Sequence, residues 1–203
     1  MPQFTHLHVH THYSILDGMS KVGDLIDKCK RTGMNAIAIT DHGNMFGIKE
    51  LVDTAAKVNG KVKDAIKALQ KELKKAEEIC NWDSVNEIKA QIEAKEKEYF
   101  KPIIGCEAYC ARRSLHNKDK DFKTINPENG KEQIVDASGY HLVLLAKNPK
   151  GYENLCYMVS EAFTNGFYGK PRVDLELLEK YHEGLIALSA CLAGAVPQHI
   201  LAD

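Results

Sequence analysis

Four short apolar runs recur between stretches of helical periodicity: NAIAIT (35–40), PIIGCEAY (102–109), HLVLLA (141–146) and GLIALSA (184–190). Runs of this length and composition suit strands buried on both faces. Helices between successive strands imply crossover connections, so the order predicts parallel strands covered by helices. That restricts the chain to an α/β architecture, either a barrel or a doubly wound sheet. Residues 4–10 alternate and are expected to form one more strand ahead of the others. Ser20 offers a helix N-cap, and Val22, Leu25, Ile26 and Cys29 recur at helical spacing up to Gly33. Ile48, Leu51, Val52 and Ala55 line one face of a helix over 46–58. Further helices are expected over 151–164 and 174–181, with another after the last strand.

Two segments interrupt this rhythm. In 59–99, Ile66, Leu69, Leu73 and Ala76 form one stripe, and Val85, Ile88 and Ile92 form another. Between them lies NWDS (81–84), where Ser84 and Glu87 have the spacing of a capping box. The pattern predicts a helical hairpin inserted within the domain, either a solvated projection or an arm that docks a partner. Residues 111–138 are polar and are expected to form a long loop.

With 203 residues, the chain is long enough for one large domain or two small ones. Its net charge of -1 excludes nucleic-acid binding by bulk charge, so any contact with DNA must be a local patch. The six cysteines have neither disulfide-like nor CxxC spacing. The opening MPQFTHLHVH lacks the basic and apolar regions of a secretory signal, and no apolar run is long enough to cross a bilayer. These features predict a reduced, cytoplasmic protein.

Histidine carries the functional signal. Of nine histidines, four (His6, His8, His10 and His12) fall at spacing two. On a strand they would share one face, and a His-X-His pair would bring two imidazoles to one cation. The alternative is an exposed polar strand face. Thr40-Asp41-His42-Gly43 follows an apolar strand, the usual place for ligands in parallel α/β folds, although Asp and Gly also serve simply as turn formers. Glu107 lies in an otherwise apolar run, where a carboxylate must be paired, metal-bound or turned to solvent. The clusters converge on one rim only if their strands are parallel.

HLHVHTHYSILDG (6–18), AIAITDHGNMFG (36–47) and PIIGCEAY (102–109) together resemble the PHP domain, the polymerase and histidinol phosphatase family. HLVLLAKN, GFYGKPRVD (166–174) and GLIALSACLAGAVP (184–197) resemble its polymerase branch, the PHP domain at the N-terminus of bacterial DNA polymerase III alpha subunits. The resemblance covers most of the chain outside 59–99. It implies a distorted TIM-like (βα)7 barrel with up to three divalent metal ions at its mouth, zinc first, then manganese or iron. The implied ligands are His8, His10, Asp17, His42, Glu107, His141 and Cys191, with Glu107 bridging two ions and Glu107 and His42 as catalytic residues. Cys191 stands where many members have histidine; a thiolate there favours zinc. His141 sits at the start of its run rather than the end, which fits poorly with parallel strands. His6 and His12 match no family ligand, and His116, His182 and His199 read as ordinary.

The implied chemistry is phosphoester hydrolysis, in this branch 3′–5′ exonucleolytic cleavage at a DNA end, within a DNA-directed DNA polymerase of replication. Arg112, Arg113, Lys170 and Arg172 are candidates for contact with backbone phosphates, with plain surface charge as the alternative. Implied partners are DNA, the rest of the alpha subunit, and through it a proofreading exonuclease subunit and a sliding clamp. Two other readings remain: a silent scaffold that docks the proofreading subunit, and a stand-alone PHP phosphatase. The family's last motif, Asp-X-His, does not occur after Cys191. An incomplete barrel with an open edge is therefore expected, and open edges favour self-association.

Overall fold

The computed structural model describes residues 4–137 and 139–202; Ser138, the end of the expected long loop, lies outside the described residues. The chain divides into two compact units. The first comprises Met1–Thr5, Val22–Ile37 and Lys49–Pro102, and the second His6–Lys21, Ala38–Ile48 and Ile103–Asp203.

In the first unit, α1 (Val22–Arg31) buries Val22, Ile26 and Cys29, one stripe at helical spacing. Asp24 in its first turn and Lys28, Lys30 and Arg31 in its last complement the helix dipole. Gly33, at φ +77°, takes the left-handed turn that ends it. The strand β1 (Ala36–Ile39) follows, with Ala38 and Ile39 already belonging to the second unit. The helix expected over 46–58 does not stop there: α2 (Ile48–Glu78) is one helix of 31 residues. Nothing between Ile48 and Glu78 breaks it: Gly60 lies inside the helix at a cost of about 1 kcal/mol that a long helix absorbs. Leu51, Ala55, Val62, Ile66 and Ala76 form its buried stripe.

Cys80, at φ 53°, turns the chain into α3 (Trp82–Glu96). Its N-cap is Asn81, whose side chain accepts from the Ser84 amide at 3.2 Å, and not Ser84. Asn caps as well as Ser, and by arriving three residues earlier it takes the position. Two reciprocal bonds of 2.8 Å between the Asn59 amide and the Phe100 backbone then fasten the returning chain to α2, with Phe100 buried.

The remaining elements are β2 (Lys101–Ala111), β3 (Lys123–Ile125), β4 (Glu132–Ile134), β5 (Gly139–Ala146), α4 (Pro149–Thr164), β6 (Arg172–Val173), α5 (Leu175–Tyr181), β7 (Leu185–Leu188) and α6 (Ala195–Ala202). The main sheet runs β1-β2-β5-β7, with β6 beside β2. The segment expected as a loop over 111–138 contains the β3-β4 hairpin. The fold is mixed α/β, but its strands are not all parallel. The β2-β5 and β5-β7 pairs are antiparallel, and β2-β6 is parallel. No helix separates β2 from β5, so nothing forces a crossover between them.

The sheet of the second unit is buried on both faces. Cys106, Ala108 and Leu144 pack with Leu155, Met158 and Ala162 of α4. Val143 and Leu145 pack on the other face with Ala38, Ile103 and Leu188. Strand periodicity therefore sends Glu107 and Tyr109, and on β5 His141, to the side away from α4.

The N-terminal histidine segment is hydrogen-bonded to the chain of β1 without being a regular strand. His6 O accepts from Ala38 N and Val9 O accepts from Thr40 N, both at 2.9 Å. Three residues on one side span two on the other, which breaks the alternation the spacing predicts.

Candidate metal centre

Glu107 is 1% exposed and lies at the centre of the site. The chain beyond β1 runs parallel to β2 here, with His42 bridged to Glu107. Because β5 is antiparallel to β2, the start of β5 lies toward the same end: His141 pairs with Tyr109, two residues beyond Glu107. That direction explains why a site histidine opens its strand instead of closing it. β7 reverses again, so the turn after Leu188 returns to this end. There His141 N donates to Ala193 O at 2.9 Å, and this docking holds Cys191 near the cluster.

One oxygen of Glu107 is 2.6 Å from His8 Nε2 and 2.5 Å from His10 Nε2. The other is 2.7 Å from His141 Nδ1. Asp17 places one oxygen 3.0 Å from both His10 Nδ1 and His42 Nε2. Three overlapping groups result: His8, His10 and Glu107; His10, Asp17 and His42; His42, Glu107 and His141, with donor atoms inside each within 4.8 Å of one another. Cys191 lies at the border, its Sγ 3.6 Å from His141 Nδ1 and 3.9 Å from Glu107.

Burial alone would raise the Glu107 carboxyl. Hydrogen bonds from His10, His141 and His8 outweigh that cost and hold it far below the usual carboxylate range. His10 is pushed up, chiefly by its bond to Glu107 and further by Asp17. His42 is pushed down by burial, reinforced by His10 and His141, and so stays neutral. Its Nε2–H donates to Asp17, which leaves Nδ1 a lone pair. That atom is buried without a hydrogen-bond partner and faces a Glu107 oxygen 3.5 Å away. Two electron-rich atoms at that separation repel unless a cation satisfies both. The donor set of imidazole nitrogens and carboxylate oxygens is thus compatible with divalent metal ions.

The supporting residues carry a weaker sequence signal. Asp41, 1% exposed, accepts from Thr11 N at 2.6 Å, Thr11 Oγ1 at 2.8 Å and Ser14 Oγ at 3.1 Å. Ser14 Oγ in turn accepts from the His42 amide at 3.0 Å. Asp41 thereby ties the turn bearing Asp17 to the segment bearing His42. It reads as a turn former in the sequence; only its burial reveals this role. Gly18 makes the turn possible, since a Cβ there would sit 1.8 Å from Thr11 O. Tyr109 is a second residue the sequence does not single out. Its ring lies 5.7 Å from that of His42, nearly parallel, and 5.1 Å from that of His141, and burial beside Glu107 pushes its hydroxyl up to about 12.

Other expected residues fall elsewhere. His12 is outside the cluster, its ring 4.3 Å from that of Tyr13. His182, which caps α5, bonds the carbonyl of Glu179, and His199 bonds that of Ala195 within α6. Arg172 does not face solvent, as contact with DNA requires. It is 0% exposed, and its guanidinium donates to the carbonyls of Gly166, Asp136, Leu115 and Asn117. A planar five-donor group suits that role of pinning loops together. Arg113 is committed to a two-pronged pair with Asp136 and is not a free surface charge. Arg112 and Lys170 remain open, over the rings of Tyr140 and Tyr109 respectively, each at 4.3 Å.

The PHP domain family model matches residues 6–203, and the chain belongs to that family. Among its relatives are DNA polymerase III alpha subunits. It is 41% identical over 201 residues to that of Borreliella burgdorferi, 39% over 191 to that of Aquifex aeolicus and 36% over 198 to that of Treponema pallidum. These alignments cover 99%, 94% and 98% of this chain but only 13%, 12% and 12% of those proteins. No helix among the described residues is long and apolar enough to cross a membrane.

Proposed function

We propose that this chain is the PHP domain of a bacterial DNA polymerase III alpha subunit, and that its donor cluster binds up to three divalent cations for phosphoester hydrolysis at the 3′ end of DNA. The observation that carries this reading is the sharing of Glu107 between two of the three donor groups and of His10 and His42 between neighbouring groups. An isolated structural site would need one such group. His8, His10, Asp17, His42, Glu107, His141 and Cys191 are the proposed ligands. Bound divalent ions would clamp phosphoryl oxygens and lower the pKa of a water. Glu107, ionised through its histidine bonds, supplies the shared negative charge. His42, kept neutral by burial, supplies a nitrogen rather than a competing positive charge. The imidazoles and the Cys191 thiolate favour zinc, with manganese or iron as the alternatives.

In this reading the domain is a 3′–5′ exonuclease inside a cytoplasmic replicative polymerase. Its partners are DNA, the rest of the alpha subunit and, through it, a proofreading subunit and a sliding clamp. The similarity to alpha subunits over 94–99% of the chain supports that setting. Elemental analysis of the purified protein, paired with nucleotide release from a 3′-labelled oligodeoxynucleotide, tests it. The expected result is more than one equivalent of bound metal and release that Glu107→Gln abolishes. Metal without release would reduce the site to a scaffold, and absence of metal would end the proposal.

A further inference from the structure

Among the described residues, four buried side-chain atoms lack a hydrogen-bond partner: His42 Nδ1, Arg112 Nε, Gln133 Nε2 and Gln198 Oε1. The first belongs to the donor cluster. The other three belong to residues that line one cleft of about 210 Å³, together with Lys170, Glu128 and His141. Buried polar atoms are rarely left unpaired, because each has given up its water without a replacement partner. Three around a single cleft mark a place shaped for a polar ligand.

The kinds of atom define that ligand. Arg112 Nε and Gln133 Nε2 are donors, and Lys170 brings a cation to the same wall. His141 belongs both to this cleft and to the donor cluster, with its Nδ1 2.7 Å from Glu107. The guanidinium of Arg112 is seated over the Tyr140 ring, with Nη1 donating to the Tyr140 hydroxyl at 3.4 Å. Lys170 lies over the Tyr109 ring that also packs against His141 and His42. The two cations are therefore held by aromatic faces, which leaves Arg112 Nε and the Lys170 ammonium available. On the acceptor side, Gln198, 5% exposed, is fixed by Nε2 bonds to Glu128 at 2.8 Å and Leu192 O at 3.0 Å, with Oε1 facing no donor.

We propose that this cleft is a second phosphate subsite, in which Arg112, Gln133 and Lys170 hold the internucleotide phosphate next to the one at the donor cluster, so that the site selects polynucleotides over small phosphate monoesters. Gln198 Oε1 adds an acceptor for a donor group on the neighbouring nucleotide. The inference rests on the phosphoesterase reading above for what occupies the adjoining cluster. The cleft's own demand for an anion comes from its unpaired donors.

Binding separates the two. The protein is treated with chelator, and the affinity of a fluorescein-labelled single-stranded oligodeoxynucleotide is read by anisotropy across a salt series, with inorganic phosphate as competitor. Arg112→Gln is expected to weaken binding about tenfold and to lower the salt slope by about one. Gln133→Leu is expected to weaken it several-fold without changing the slope. Arg112→Lys, which keeps the charge and loses the fork, should restore the slope but not the full affinity. Competition by phosphate at the oligonucleotide's own affinity would assign the cleft to the free anion and overturn polynucleotide selection. Unchanged affinity in both Arg112→Gln and Gln133→Leu, or no binding by the parent protein, would also overturn the proposal. Metal content of the same preparations before chelation reads the metal centre independently, so either idea can fail without the other.

Discussion

A single carboxylate organises the site. Glu107 is buried among four imidazoles, and its ionised state survives burial only because three of those rings donate to it. Asp41 acts one step back, through three hydrogen bonds that fix the turn of Asp17 and the segment of His42. Replacing such supporting partners typically costs 10–100-fold in metal affinity. Asp41→Asn is expected to fall in that range by competition titration with a chromophoric chelator, with helix content unchanged by circular dichroism. Asp136 yields a pH test. The hydrogen bond from Arg113 holds its carboxyl below the usual value of 3.8, helped by the Asp119 amide. Its contribution to stability is complete above that value and is lost as pH falls through the depressed one. The urea midpoint of Asp136→Asn should therefore lie below that of the parent at neutral pH, and the gap should close as pH falls through the depressed value. Parallel curves would show that the pair contributes nothing.

At the scale of elements, strand direction and helix start are the informative features. The antiparallel β2-β5 pair brings the opening residue of one strand beside the later residues of the other, as His141 opposite Tyr109 shows. The close pairing leaves no room for a side chain at Gly105, where a Cβ would lie 2.6 Å from Leu145 and 2.8 Å from Leu144 O. Gly105→Ala is expected to cost about 1–3 kcal/mol in urea unfolding, the range for overpacking a filled core. The start of α3 distinguishes two caps. Asn81→Ala is expected to cost about 1 kcal/mol of stability, whereas Ser84→Ala should cost only a few tenths. The reverse order in thermal melts would restore Ser84 as the cap.

For the whole molecule, metal binding and folding are linked, because the donors come from five separate stretches of chain that meet only in the folded state. A cation that binds the native state alone stabilises by about 4 kcal/mol at a thousandfold excess over its dissociation constant. Chelation is thus expected to lower the melting temperature by several degrees at pH 8. Because histidine and cysteine must lose protons to ligate, that difference should shrink as pH falls below about 6. Equal melting temperatures with and without chelator at pH 8 would count against a metal centre.

The apolar runs and helical stripes were sufficient to locate most elements, since burial of one face imposes its period on the local sequence. The HxH pair, the Asp-His step and the lone Glu107 were visible for a related reason: polar ligands in apolar strands are conspicuous. Features set by non-local pairing were not visible. The antiparallel turn of β5, the three-against-two spacing between the histidine segment and β1, the burial of Arg172 and the anchoring role of Asp41 all depend on which distant segment lies alongside. Residue types and periodicity were thus fixed locally. Direction, register and the partners of buried charges were decided only by tertiary packing, because their energies belong to pairs far apart in the chain.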